Sequence, residues 1–386
     1  MKTTRLIFLT LLSIALLPAC HKDVLKERKQ SPLYVNEDHA ANCYIVSPGR
    51  ELHFPAVKGN TKSKFKNARE ATVLWETGNT VKTVKKGDIV KSISFAEDKI
   101  TLVAGDKPGN ALVALEDGDG QILWSWHIWV TKYDPDKTSI SIKTGGSEEY
   151  FMMDRNLGAL TSNAPDPLSC GLLYAPSRKD PFPGMASFQT SSQMDIQRMS
   201  VRGSMAEDSK TSVEIEGDLN DYMVKNPTQF VLYGKQGTEG KEFITSEYER
   251  LSSWRWYGTS KAISDPCPYG YMIPVHKVWS RLTTSNEDYF NETYFDFQTY
   301  YPGLWFPYSG YTGSIGGIIC VQDDLCRFYN AYHMYSDVSS KISIAWILYY
   351  NGSDPYPAPV QNVNYKSSLF IGDDAFRGGA VRCVKM

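Results

Sequence analysis

The chain has 386 residues, of which 42% are hydrophobic and 13% aromatic, including 24 tyrosines and 9 tryptophans. Its formal charge of -2, which becomes -4 once residues 1–19 with Lys2 and Arg5 are removed, excludes a whole-chain electrostatic footprint for nucleic acid. The length sets an expectation of two domains, or three. Long runs of helix-favouring residues are absent, which points to strands and ordered loops.

The first element is "MKTTRLIFLTLLSIALLPAC". A basic start is followed by about a dozen mostly apolar residues, too few to span a ~30 Å hydrocarbon core, and then by a small-residue end. That is the layout of a cleaved secretory signal. Ala19-Cys20 resembles a bacterial lipobox, so residues 1–19 are expected to be a lipoprotein signal peptide. Cys20 is then the acylated, palmitate-type first residue of a chain anchored in the outer membrane at the cell surface. Several acyl chains on one residue hold firmly, at about 0.8 kcal/mol per buried CH₂. Residues 20–40 read as the lipidated cysteine and a charged tether.

From residue 41 to 133 the pattern is β throughout. "NCYIVS", "LHFPAV", "TVLWET", "IVKSISF" and "KITLVAG" are short apolar runs separated by turn residues at roughly ten-residue intervals. "NALVALEDGDGQILWSWHIWVT" is a hairpin. Ala111, Val113 and Leu115 alternate on one arm, Ile122, Trp124, Trp126, Ile128 and Val130 on the other, and "EDGDG" turns the chain. Such spacing predicts a β-sandwich of roughly a hundred residues. "DGDG" at a hairpin tip reads as a turn, since a calcium loop needs flanking helices and a twelfth-position Glu.

"TKYDPDKTS", 131–139, is a polar break that marks a boundary before a second domain over 140–386. Two short helices are predicted there. One lies in "GDLNDYMVKNP", with Leu219, Tyr222 and Met223 on one face. The other is "VHKVWSRL" after Pro274, with Val275, Val278, Trp279 and Leu282 on one face. "GGAVRCVKM" reads as a terminal strand. Beyond Cys20 there are six cysteines, Cys43, Cys170, Cys267, Cys320, Cys326 and Cys383, which an exported protein can pair. Six allow fifteen full pairings, so connectivity stays open. Neither C-x₂-C spacing nor clustered histidines mark a metal site, and no metal or cofactor is expected. Cys267 in "SDPCPYGYMIP" could be a nucleophile, a ligand or a staple. Prolines on both sides make it rigid, and no basic partner is at hand to activate it. It reads as a staple, with Cys383 as the candidate partner.

"FMMDRNLGAL" (151–160), "GLLYAPSRKDPFPG" (171–184), "NPTQFVL" (226–232), "DPCPYGYMIPV" (265–275) and the terminal "AVRCVKM" occur in that order. Together they resemble the Fibrobacter succinogenes major paralogous domain of Bacteroidetes-type surface lipoproteins, over about residues 140–386. "NCYIV" and "ILWSWHIWVT" resemble the β-rich segment that precedes it. The resemblance implies a C-type-lectin-like α+β domain whose sequence-distant ends meet, which supports a Cys267–Cys383 bridge. The match departs at "APS", and the Glu-Pro-Asn and Trp-Asn-Asp signatures of calcium-dependent sugar-binding lectins are absent. The fold class expected is therefore mainly β plus α+β, an N-terminal β-sandwich followed by a C-type-lectin-like domain.

No motif of a known catalytic set is present, including G-x-S-x-G, H-E-x-x-H and the P-loop, so no enzyme is expected. Asp154 of "MMDRN" is expected to accept hydrogen bonds from a buried turn, facing away from Arg155. The acidic pairs in "VQDDLC" and "FIGDDAF" read as solvated loop acids. "YYPGLWFPYSGY" (300–311) and "WILYYNGSDPYPAP" (346–359) are expected to be aromatic loops. Their Trp305, Tyr308, Tyr311, Tyr349 and Tyr350 are the candidate ligand-binding residues, because flat rings with a polar edge suit sugars and protein partners. The function expected is adhesion or binding of a glycan or surface protein, without catalysis. The alternatives are a fimbrial tip or accessory subunit, partnered by other fimbrial subunits through strand exchange, and a polysaccharide-active enzyme, which would need paired carboxylates at a cleft.

Overall fold

The computed structural model describes residues 38–78, 84–145, 147–163, 166–174, 178–183, 219–228, 261–274, 278, 294–296, 301–307, 311–313, 317–319, 330–335, 345–350 and 379–386. Over these the protein is mainly β, with two short α-helices. The expected leader, Cys20 and the part of the expected tether before residue 38 lie outside them.

Seven strands come first: β1 (Cys43–Val46), β2 (Glu51–Pro55), β3 (Ala68–Thr77), β4 (Val90–Ala96), β5 (Lys99–Ala104), β6 (Gly109–Asp117) and β7 (Ile122–Val130). They form two sheets, ordered β1-β7-β6-β3 and β2-β5-β4. β6 and β7 make the expected hairpin, with Val113 opposite Trp126. Its tip closes because Asp117 Oδ1 accepts from the Asp119 and Gln121 amides at 3.0 and 2.9 Å, which commits that carboxylate oxygen to the turn. β1 lies parallel to β7. Tyr44, Leu52, Phe54, Ile100, Leu102, Val113, Trp124, Trp126 and Ile128 belong to one core built from both sheets. Phe54 stacks on Tyr44 at 4.0 Å and meets Trp126 edge-on at 5.5 Å. Side chains of this size stabilise by about 1.5–3 kcal/mol each when fully buried.

One buried carboxylate ties the two sheets. Glu76 on β3 accepts from the amides of Gly87 (2.9 Å), Ile89 (3.0 Å) and Val90 (2.7 Å), at the entry to β4. Three N–H donors on one ion compensate for taking that ion out of water.

The chain continues through α1 (Pro135–Thr138), β8 (Ile140–Gly145), β9 (Glu148–Met152), β10 (Leu173–Tyr174), β11 (Pro181–Phe182), α2 (Leu219–Lys225) and β12 (Tyr271–Met272). Three antiparallel pairs follow: β13 (Tyr294–Asp296) with β14 (Trp305–Pro307), β15 (Tyr311–Gly313) with β16 (Gly317–Ile319), and β17 (Asn330–Tyr335) with β18 (Ala345–Tyr350). β19 (Gly379–Ala380) and β20 (Val384–Lys385) close the fold. β20 sits inside the sheet β12-β20-β9-β8, and β19 pairs with β10 in β11-β10-β19.

α2 falls where the 219–225 periodicity places it. Of the second expected helix only Val278 is described, helical and buried. The two aromatic stretches expected as loops instead carry β14 and β18. Aromatic and β-branched residues favour extended backbone once a cross-strand partner exists.

The 131–139 break carries α1, capped by Asp134, whose side chain accepts from the Asp136 amide. Described residues on the two sides of this break nevertheless share a core. It lies on the far side of the four-stranded sheet. Cys43, Ile45, Trp75, Leu112 and Trp129 share a second core with Met153, Leu157, Leu172, Tyr174, Tyr271 and Ile273. A second layer therefore covers the other face of that sheet.

Candidate functional site

The segment 261–274 is held by a buried ion pair. Asp265 Oδ1 accepts from the Cys267 amide at 2.8 Å, and Oδ2 accepts from the Ile273 amide at 3.0 Å. Lys261 Nζ donates to Asp265 Oδ1 at 2.8 Å and to the carbonyls of Cys267 and Tyr271, each at 2.7 Å. Burial lowers the Lys261 pKa, and Asp265 opposes that shift. The segment then docks on β1. Asn42 Nδ2 donates to the Ile263 and Asp265 carbonyls at 2.7 and 2.9 Å, and Cys43 bridges Pro268 in parallel.

Cys267 and Cys383 are joined in a disulfide, with Cα atoms 6.0 Å apart and both residues fully buried. Around it the terminal segment is pinned: the Met153 amide donates to the Cys383 carbonyl at 2.9 Å and the Leu157 amide to the Val381 carbonyl at 2.7 Å. Cys43 and Cys170 are buried outside this bridge. Burial pushes the Cys43 thiol up, against the pull of Lys261, so it stays protonated and is no nucleophile.

The hairpin's alternation leaves the odd positions of β7 facing the second layer, and these carry a polar cluster. His127 accepts from the Tyr174 hydroxyl at Nδ1 (2.9 Å) and donates from Nε2 to Asn110 Oδ1 (2.8 Å). This tautomer follows because Asn110 Nδ2 already donates to the Gly158 carbonyl at 2.8 Å. Burial pushes the His127 pKa down to about 3, so the ring is neutral. Two residues earlier, the Ser125 hydroxyl donates to Asp180 Oδ1 at 2.6 Å, and Lys179 Nζ donates to Ser125 Oγ and, at 2.5 Å, to Asp180 Oδ1. Lys179 also lies over the Trp124 ring at 4.6 Å. Arg178 donates to the carbonyls of Asn226 (3.0 Å) and Pro227 (2.9 Å), just past α2. Burial lowers Lys179 to about 8 and Arg178 to about 10, with Asp180 opposing both shifts.

A serine beside a lysine of lowered pKa is the pairing an acyl-transfer nucleophile uses. Here Ser125 is 0% exposed and its proton is held by Asp180, so the cluster fastens layers together. Sequence reasoning missed this cluster. Its signal was three consecutive charged residues, 178–180, inside the otherwise apolar "LLYAPSRKDPF".

Asp154 pairs with its neighbour: Arg155 donates to both carboxylate oxygens at 2.8 and 3.1 Å, with its guanidinium 4.0 Å over the Tyr133 ring. That corrects the expectation that they face apart, because the two follow β9 in a bend. Asn156 donates to the Cys170 carbonyl and accepts from Arg382.

Among the candidate aromatics, Trp305 is only 5% exposed. Its backbone carbonyl accepts from Arg382 at 2.7 Å, and at that exposure the side chain is largely covered. Tyr311 lies on β15, Tyr349 and Tyr350 on β18, and Tyr308 outside the described residues, as do Cys20, Cys320, Cys326 and the acidic pairs at 323–324 and 373–374. The described residues contain no group of three or more metal-ligating side chains and no helix long and apolar enough to cross a membrane.

Comparison with protein-family models, curated proteins and solved structures returns no match. The function must therefore be inferred from the chain's own residues and their geometry.

Proposed function

We propose that the chain is a non-enzymatic lipoprotein of the outer-membrane surface, anchored through Cys20, that binds a glycan or a surface protein. Its second module belongs, on this reading, to the C-type-lectin-like domains of the Fibrobacter succinogenes type. The observation that carries the reading is the buried Cys267–Cys383 bridge, because such bonds persist in oxidising compartments and not in the cytosol. It agrees with the lipobox-like "LPAC" ahead of a charged tether. The Ser125–Lys179–Asp180 cluster is sealed, so it supplies no exposed nucleophile.

The test is metabolic labelling with a palmitate analogue in cells producing the intact chain or Cys20→Ser, followed by membrane fractionation and protease treatment of unbroken cells. Label and outer-membrane recovery in the intact chain only, with cleavage from outside, is the expected result. An unlabelled chain in the soluble fraction overturns the anchor. A labelled chain that only lysed cells expose to protease overturns the surface location.

A further inference from the structure

We infer that the loop joining β2 to β3 is a binding face for an acidic polysaccharide. This rests on the surface-binding reading above and names the chemistry of its ligand. Residues 58–69, "KGNTKSKFKNAR", hold five cations and no acid, in a chain whose overall charge is -2. Lys62, Lys64, Lys66 and Arg69 are exposed. Phe65 between them turns inward, 6.2 Å from the Trp124 ring and 6.4 Å from Trp126. Lys62, Lys64 and Lys66 alternate with Ser63 and Phe65, so three exposed cations stand in a short row of five residues. Arg69 falls at the register shift between Ala68 and Glu70, an irregularity of the kind that re-aims a side chain.

The row is preorganised. The Lys58 amide donates to the Ser63 carbonyl at 2.8 Å, and the Thr61 hydroxyl to the Lys58 carbonyl at 2.6 Å. Val57 bridges Lys64, and Asn60 Nδ2 reaches the Ala262 carbonyl at 2.5 Å. Gly59 has φ +56°, and a Cβ there would lie 2.3 Å from the Ile263 carbonyl oxygen, so only glycine lets the loop seat. A backbone fixed in this way has little freedom left to lose on binding.

Acids border the row. Lys64 meets Asp98 at 2.8 Å with both side chains largely in water, Glu97 stands beside it, and Glu70, Glu116 and Asp117 lie toward Arg69. Exposed pairs of this kind hold with about 0–1 kcal/mol, so a polyanion can displace Asp98. Two other polyanions fit worse. A single-stranded nucleic acid wants exposed aromatic platforms, and Phe65 is turned in. A lipid interface wants an apolar residue to insert, and the exposed residues of 61–69 are polar or charged.

The experiment measures binding of the intact chain to polygalacturonate, with neutral dextran, phosphatidylglycerol vesicles and an oligothymidylate as parallel probes. Saturable binding to polygalacturonate is expected, weakening about tenfold between 50 and 200 mM salt as counterions compete. The combined Lys62→Gln, Lys64→Gln, Lys66→Gln variant should lose at least tenfold in affinity with unchanged circular dichroism. Phe65→Ala, which keeps every charge, should weaken binding by loosening the row. Absence of polygalacturonate binding, or binding that the triple variant leaves intact, overturns the proposal. So does binding confined to vesicles or to the oligonucleotide. Binding to a neutral glycan or a protein, with none to polygalacturonate, removes this loop's role and leaves the wider surface-binding reading standing.

Discussion

His127 is satisfied only as a neutral ring, with one nitrogen accepting and the other donating. Its pKa is about 3 in the fold and near 6.5 in an unfolded chain, so the unfolded state binds the proton first as the pH falls. Stability from this site is complete above about pH 6.5 and drains toward pH 3 by about 1.4 kcal/mol per pH unit. Urea unfolding between pH 6.5 and 4.5 should show this slope in the native chain beyond what the carboxylates cause. The slope should be missing from His127→Gln, and equal slopes in the two would show the residue to be accessible to protons. Lys261 and Asp265 give a second prediction. Asp265→Ala strands a buried ammonium and two amides, and should cost about 3–5 kcal/mol by chemical denaturation. Adding Lys261→Met to it should recover part of that loss, because the orphaned charge is gone.

At the scale of elements, the Glu76 clamp links β3 in one sheet to the start of β4 in the other. Glu76→Leu leaves three amides without their acceptor and should cost several kcal/mol, with Glu76→Gln falling between. Hydrogen exchange should rise first at Gly87, Ile89 and Val90. The β6–β7 hairpin was legible in the sequence because a period of two and a turn at "EDGDG" are local signals. The opposite face was not. No local signal marks Asn110, Ser125 and His127 as buried, because the layer that covers them arrives from far along the chain. The same holds for β19 and β20, two-residue strands whose partners are distant in sequence, so no periodicity marks them. Trp305 shows a further limit, since aromatic density tells how much area must be covered and not which side of the ring will be. The Cys267–Cys383 pair was approachable because rigid flanking prolines narrow what a cysteine can do. β1 bears on the fimbrial alternative: Asn42 bonds to Ile263, Asp265 and Trp124, and exchange of that strand would have to break all of these.

For the whole molecule, the shared second core predicts that the two regions either side of 134–139 do not melt apart. A single cooperative transition should appear by both tryptophan fluorescence and circular dichroism. A chain cut in that segment would expose Trp75, Leu112 and Trp129, and should bind a hydrophobic dye. The disulfide spans 116 positions, and Cys267→Ser with Cys383→Ser should lower stability by about 4–5 kcal/mol in the chain-entropy view. Because both cysteines are fully buried, dithiothreitol without denaturant should leave the bond intact for as long as the protein stays folded. The placement of β19 and β20 also governs timing. Two sheets and the only disulfide among the described residues wait for residues 379–386. A chain that emerges N-terminus first cannot lock these parts until residues 379–386 follow. Closure of these parts is therefore an event of arrival, set by the last strands and not by the first.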